Sequence, residues 1–244
     1  MDRVIRVRGL LLAAASIAVA AGCGSAEPAA PEPAELPPLG PVVAAAPVSA
    51  VPESDSERLR GLLLGGANLP QNFTALPPRA DLPDGAGDAA SAPTNPAECA
   101  KVLTPLAALR PGALARASIQ YAGPNFSSID IDAASYPSEA LAEVFSVVQA
   151  MLRRCTHYSG ADATDIPVDY QVGGLAQPPA GDTATAFQVR TSSDGMTLSS
   201  SVAIVQVGGT LAQVAVTAPE SVDPGVLSDL TAAQVRRLQG VAGS

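Results

Sequence analysis

The chain has 244 residues, 23 acidic against 14 basic, for a formal charge of -9, and it carries one His, no Trp, four Tyr and four Phe. The acidic balance speaks against nucleic acid as a partner, since binding phosphate backbones needs Lys and Arg to replace condensed counterions. The scarcity of aromatics speaks against a sugar-stacking platform, and the length leaves room for one ordinary domain once a leader and a tail are subtracted.

Arg3, Arg6 and Arg8 form a positive start, followed by the uncharged apolar stretch Gly9 to Ala21, which is too short to span a bilayer as a helix. These are the proportions of a signal peptide over residues 1–22. The stretch closes on Val19-Ala20-Ala21-Gly22-Cys23. Small residues before a cysteine resemble the lipobox of bacterial prolipoproteins, although the pattern prefers Leu where Ala20 stands. The resemblance implies cleavage after Gly22 and a diacylglyceryl group on the Cys23 thiol. Each buried methylene then contributes about 0.8 kcal/mol, so two or three chains hold stably where one is marginal. The alternative is an ordinary secretory signal with an incidental Cys23, but no A-x-A site is better placed. Removing Asp2, Arg3, Arg6 and Arg8 with the leader takes the counts from 14 to 11 basic and from 23 to 22 acidic residues, a charge of -11.

Residues 23–53 are expected to form the lipidated Cys23 and a Pro/Ala-rich disordered tether, with eight prolines between Gly24 and Glu53. The folded unit, residues 54–240, is expected to open at Ser54-Asp55-Ser56-Glu57, which has the spacing of a capping box before Leu59, Leu62 and Leu63. Gly65-Gly66 stops that helix. Asn68 to Pro78 reads as a turn and a short extended piece, and Arg79 to Thr94 as a loop. Asn95-Pro96-Ala97-Glu98 is a second helix start, which places Cys99 in a first turn.

Ala113 to Ala122 and Phe126 to Ala133 read as two strands joined at Gly123-Pro124-Asn125, and in the second Ile129 and Ile131 alternate with Asp130 and Asp132. The clearest helix is Glu139 to Arg154, with Leu141, Val144, Phe145, Val148 and Leu152 on one stripe. Ile166 to Val172 is a further strand. Ala184 to Thr191, Met196 to Val207 and Thr210 to Thr217 form an antiparallel meander turning at Asp194-Gly195 and Gly208-Gly209. Asp223-Pro224 opens a last helix carrying Val226, Leu227, Leu230, Val235 and Leu238. The grouping predicts an α+β fold, an antiparallel sheet of about 5–7 strands covered by helices on one side.

With Cys23 taken by the anchor, Cys99 and Cys155 remain in a chain that has passed into an oxidising compartment, so they are expected to be paired. Closing that loop restricts the unfolded chain by about 4 kcal/mol. A catalytic triad lacks support, because His157 is the single histidine and no serine sits in G-x-S-x-G. Cys155-x-His157 offers two zinc ligands where three or four are needed, so no metal site is expected, and His157 is expected in a solvated loop. Asp130 and Asp132, and the loop acids Asp81, Asp84 and Asp88, match no EF-hand spacing and read as solvated acidic surface. Asn72-Phe73-Thr74 and Asn125-Phe126-Ser127 fit the glycosylation sequon, a coincidence beside a bacterial lipobox.

The lipobox, the Pro/Ala segment, the Leu-rich first helix, Asn68 to Pro78, and Ala140-Leu141-Ala142-Glu143-Val144-Phe145 leading into Arg153-Arg154-Cys155 resemble actinobacterial lipoproteins with a sensor-type extracytoplasmic domain. That group is similar to the outer domain of a mycobacterial Ser/Thr kinase. The kinase domain generally carries two disulfides and often a Trp before the helix-end cysteine; this chain has one candidate pair and no Trp. The resemblance implies an α+β fold, no known reaction, and a role in binding an unidentified partner in the periplasm or cell wall. The expected function is a non-catalytic binding or sensor module without cofactor, on the outer face of the cytoplasmic membrane. The alternatives are a carrier of lipid or glycolipid and an enzyme working through Asp130 and Asp132.

Overall fold

The computed structural model describes residues 35–48, 50–77, 93–162, 164–219 and 221–240. The signal segment, Cys23 and the loop acids Asp81, Asp84 and Asp88 lie outside them. The described chain is α+β, built on one antiparallel sheet of nine strands rather than five to seven.

Helix α1 (Ser56–Gly61) comes first, and its N-cap is Asp55, whose carboxylate accepts the N–H groups of Glu57 at 2.9 Å and Arg58 at 3.2 Å. The cap therefore sits one residue beyond Ser54, where a carboxylate satisfies two of the unpaired first-turn donors at once. Two short pieces, β1 (Thr74–Ala75) and β2 (Thr94–Asn95), close the two edges of the sheet. Between them and the body lie a 3₁₀ turn at Ala97–Lys101, which holds Cys99, and the four-residue helix α2 (Leu106–Leu109).

The body follows in hairpins. Strand β3 (Ala115–Ala122) pairs with β4 (Ser128–Ser135), and helix α3 (Ser138–Arg154) follows. Strand β5 (His157–Ala161) pairs with β6 (Pro167–Gly174). The meander β7 (Thr183–Ser193), β8 (Met196–Val207) and β9 (Thr210–Pro219) forms the centre, and α4 (Pro224–Leu238) ends the described chain. The spatial order is β1-β3-β4-β9-β8-β7-β6-β5-β2, so the two hairpin arms flank the meander. The β7–β8 turn uses Asp194 and Gly195 with φ of 46° and 76°, the left-handed pair that matches the twist of a two-residue hairpin.

Helices cover both faces, not one. Leu141, Val144, Phe145, Val148 and Leu152 of α3 pack on Val202, Ile204 and Leu211 of the meander. The alternate residues Ala203, Val205, Ala212 and Val214 face the other way, against Leu59, Leu63 and Leu64 at the α1 end and Leu227, Leu230 and Val235 of α4. Buried on both sides, β8 and β9 read as near-continuous apolar runs. Strand β5, with Gly, Ser and His in five residues, has weak strand propensity and is held by pairing and by Tyr158, whose ring stacks on Tyr170 of β6 at 4.5 Å.

The expected disordered tether is also revised. Residues Glu35 to Val48 have no helix or strand, yet Leu39, Val43, Ala45 and Val48 pack against the α3-side core. The folded unit thus begins some twenty residues before Ser54. What makes this possible is main-chain bonding to the domain, because a segment of Pro, Ala and Val alone does not bury enough apolar surface to order itself.

Candidate functional site

The α3 face of the sheet is the part of the molecule where polar groups, an ordered Pro-rich strap and a cavity come together. Its N-terminal boundary is the strap. Gly174 at the end of β6 donates its N–H to Pro37 O at 2.7 Å, and Arg153 of α3 donates to Gly40 O. The Gln149 amide of α3 makes a reciprocal pair with Val43, accepting its N–H and donating to its carbonyl, both at 2.8 Å. Gln206 of β8 does the same for Ala46, at 2.8 and 2.9 Å. Both glutamines are buried, 4 % and 0 % exposed, so these bonds form where an unpaired amide would be costly. The strap also lies directly on Gly173 and Gly174: a Cβ at Gly173 would stand 2.7 Å from Pro37 O.

Beyond Gly174 the chain leaves the sheet and crosses in a loop, Leu175 to Asp182, before β7 begins at Thr183. The first residues of β7 therefore have β8 on one side and no strand on the other. A cavity of about 490 Å³ opens there, lined by Gly40, Pro41 and Val43 of the strap, by the loop, and by Thr183 to Ala186. Its one ionisable lining group is Asp182, whose carboxylate accepts the Gly208 N–H at 2.6 Å; Gln177 donates to Pro224 O at 3.3 Å. Thr183 and Thr185 complete the polar lining. The rest is Pro, Ala, Gly, Val and Leu with their backbone.

The acidic strand face turns out differently from a solvated surface. Asp130 is half-buried, accepting Gln120 Nε2 at 2.5 Å and Ser128 Oγ at 2.9 Å. Asp132 is 7 % exposed and stands opposite Gln213 of β9, itself 3 % exposed. The alternation predicted an acidic face, and that face lies on the side of the sheet that α3 covers, where Ala134 of the same strand joins the core. The structure does not bring these acids to the cavity beside the strap.

Cys99 and Cys155 are joined, with Sγ atoms 2.03 Å apart, tying the 3₁₀ turn to the C-cap of α3. His157 is exposed in β5, a strand instead of the expected loop. Among the described residues no group of three or more His, Cys, Asp or Glu is placed to hold a metal ion, and no helix is long and apolar enough to cross a membrane. Burial raises all four tyrosine pKa values. Tyr136 is pushed up to about 12, against the opposing pull of Arg110 and Arg116, and Tyr158 rises further, with Tyr170 adding to it. Tyr121 and Tyr170 move the same way. Asp162 moves down, because Ile166 N–H and both the backbone and hydroxyl of Thr164 donate to its carboxylate.

The strap and the glutamines are what sequence reasoning missed. The signal was present: Leu36, Leu39, Val42, Ala45 and Val48 recur at every third residue, a period that neither the helix nor the strand template detects.

An α+β domain with an antiparallel sheet helix-covered on both faces is the class that this geometry defines. Its fold matches the extracellular domain of PknH from Mycobacterium tuberculosis, with a TM-score of 0.58 and 13 % identity over 76 % of this chain and 97 % of that one. The fold-level likeness to a mycobacterial outer domain agrees with the layout in the sequence. A second structure, an uncharacterized protein from Mycobacterium smegmatis, aligns at TM-score 0.41 and 14 % identity, covering 76 % and 97 %. No family model matches the chain, and no curated protein does.

Proposed function

We propose that the chain is a non-catalytic binding module of the cell envelope, held on the outer face of the cytoplasmic membrane by lipid on Cys23. The observation that carries the binding role is the cavity of about 490 Å³ between strap and β6–β7 loop, with Asp182 as its one ionisable lining group. Acid–base or nucleophilic chemistry needs a second group within reach of the first. The likeness in fold to an extracellular domain supports an extracytoplasmic setting. With the strap docked, the spacer shrinks from residues 24–53 to the stretch before Glu35. The eleven residues between Cys23 and Glu35 reach at most about 34 Å in polyproline form, less than half the span of the longer tether. The module then works close to the membrane.

Two measurements test this reading. Wild-type protein is expected in the membrane fraction and Cys23→Ala in the soluble fraction; an unchanged membrane fraction for the variant contradicts the anchor. Native mass spectrometry of Cys23→Ala protein purified from envelope extract is expected to show a non-covalent adduct that Ala176→Trp, which fills the cavity mouth from an exposed position, removes. A co-purified acyl lipid that survives Ala176→Trp favours the carrier instead.

A further inference from the structure

The strap sorts into three sets of residues, each with a period of three. Pro37, Gly40, Val43 and Ala46 are the residues whose main chain bonds to the domain, through Gly174, Arg153, Gln149 and Gln206 in turn. Leu36, Leu39, Ala45 and Val48 form a second set, half-buried and apolar, from which only Val42 departs at 60 % exposed. Pro38, Pro41 and Pro47 belong to the third set and are exposed. Three residues per turn is the period of the left-handed polyproline helix, which has no internal hydrogen bonds and leaves every main-chain group for a partner.

Such a segment is recognised through its main chain. Val43 and Ala46 each present both an N–H and a C=O to one side-chain amide, so each needs a residue other than proline. The four prolines fall where no N–H is donated to the domain. The two amides sit on different elements, α3 and β8, and therefore define a groove with a fixed register. Gly173 and Gly174 form its floor, where a side chain would collide with the bound chain.

We propose that this groove is a binding site for uncharged, Pro- and Ala-rich extended peptide, and that residues 36–48 are its ligand in cis, exchangeable for a segment of the same chemistry supplied in trans. Recognition is by main chain and period, so the trans ligand needs prolines in the exposed set, small or aliphatic residues in the packed set, and free N–H groups three residues apart. The strap supplies Gly40, Pro41 and Val43 to the wall of the neighbouring cavity, so the two sites adjoin, and the peptide titration reads the groove and not what that cavity holds.

The test uses the whole chain. A protease recognition sequence is inserted between Ala50 and Val51, both exposed, in the Cys23→Ala protein, which is folded intact and then cleaved. A fluorescein-labelled peptide of residues 36–48 is then titrated, with anisotropy as readout and far-UV circular dichroism as the check on folding. The cleaved chain is expected to bind it saturably, or to retain its own strap through gel filtration until excess peptide displaces it. The uncleaved chain is expected not to bind. Gln149→Ala and Gln206→Ala are each expected to weaken binding at least tenfold, and a Gly/Ser peptide of equal length is expected not to compete. Loss of the strap without saturable peptide binding on a folded domain overturns the proposal. Unfolding on loss of the strap, or equal competition by the Gly/Ser peptide, overturns it as well.

Discussion

The two faces of the sheet solve the same problem with different materials. On one, the C-terminal end of α1 and helix α4 lay Leu59, Leu63, Leu64, Leu227 and Leu230 over the alternate residues of β3, β4, β8 and β9. On the other, α3 supplies the apolar cover, and a segment with no regular secondary structure extends it. Both recruit a buried glutamine for main chain that no helix or strand satisfies. Gln234 of α4 accepts the Leu64 N–H and donates to Leu62 O, both at 3.0 Å, as Gln149 and Gln206 do for the strap. The difference lies in what each clamp holds. Gln234 fixes the end of α1, whose leucines are core, whereas the strap glutamines fix a segment whose own contribution to the core is small side chains.

The largest expected effect separates the faces by covalent means. The disulfide belongs to the α3 face, where Cys99 and Cys155 are 1 % and 0 % exposed. Replacing both by Ala is expected to lower unfolding free energy by about 4 kcal/mol in chemical denaturation. Intact-mass measurement is expected to show a gain of two hydrogen atoms on reduction; an unchanged mass means free thiols.

High pH is expected to act mainly on the same face, where Tyr136, Tyr158 and Tyr170 lie, with Tyr121 alone on the other. A phenol in the unfolded chain ionises near pH 10. The folded values are raised, so the folded state holds the extra protons. This contribution to stability is complete below pH 10 and falls as pH rises through about 12, where Tyr136 ionises. Absorbance at 295 nm is expected to show the phenolate rise delayed beyond pH 10 and coincident with loss of circular dichroism. A normal titration at pH 10 in folded protein contradicts this.

Exchanging the clamps sharpens the contrast. Gln206→Ala strands the N–H and C=O of Ala46, whereas Gln234→Ala strands the Leu64 N–H and leaves Leu62 O with Arg237 Nε at 3.3 Å; each is expected to cost about 2 kcal/mol locally. Gln234→Ala is expected to lower the global melting transition. Gln206→Ala is expected to leave most of that transition in place while opening the strap to proteolysis. Equal global losses from both would remove the distinction between the faces. The smallest effect concerns Thr231 on α4, whose hydroxyl is buried with no hydrogen-bond partner. Thr231→Val is expected to raise stability by about 1 kcal/mol.

The elements that the sequence revealed are those with a strong period. The stripe of α3, the meander and the Asp223 cap, which accepts the Gly225 N–H at 2.8 Å, all lie within a residue or two of their expected places. What escaped was made by tertiary pairing. Strand β5 exists because β6 and Tyr170 hold it, and the edge strand β2 carries no local signal, whereas β1 falls within the extended piece expected between Asn68 and Pro78. The acids of β4 read correctly as one face, but alternation does not say which face meets a helix. The strap escaped because its composition resembles disordered chain and its order depends on glutamines more than a hundred residues away.

The contrast between the faces holds only if that Pro-rich segment belongs to the folded unit. Amide hydrogen exchange of the Cys23→Ala protein, resolved at Val43 and Ala46 by NMR, tests it most directly. Both N–H groups bond to buried glutamine oxygens at 2.8 Å, so exchange at least a hundredfold slower than in an unstructured peptide is expected. Exchange at the unstructured rate while β8 and β9 remain protected would show that the strap is not part of the fold.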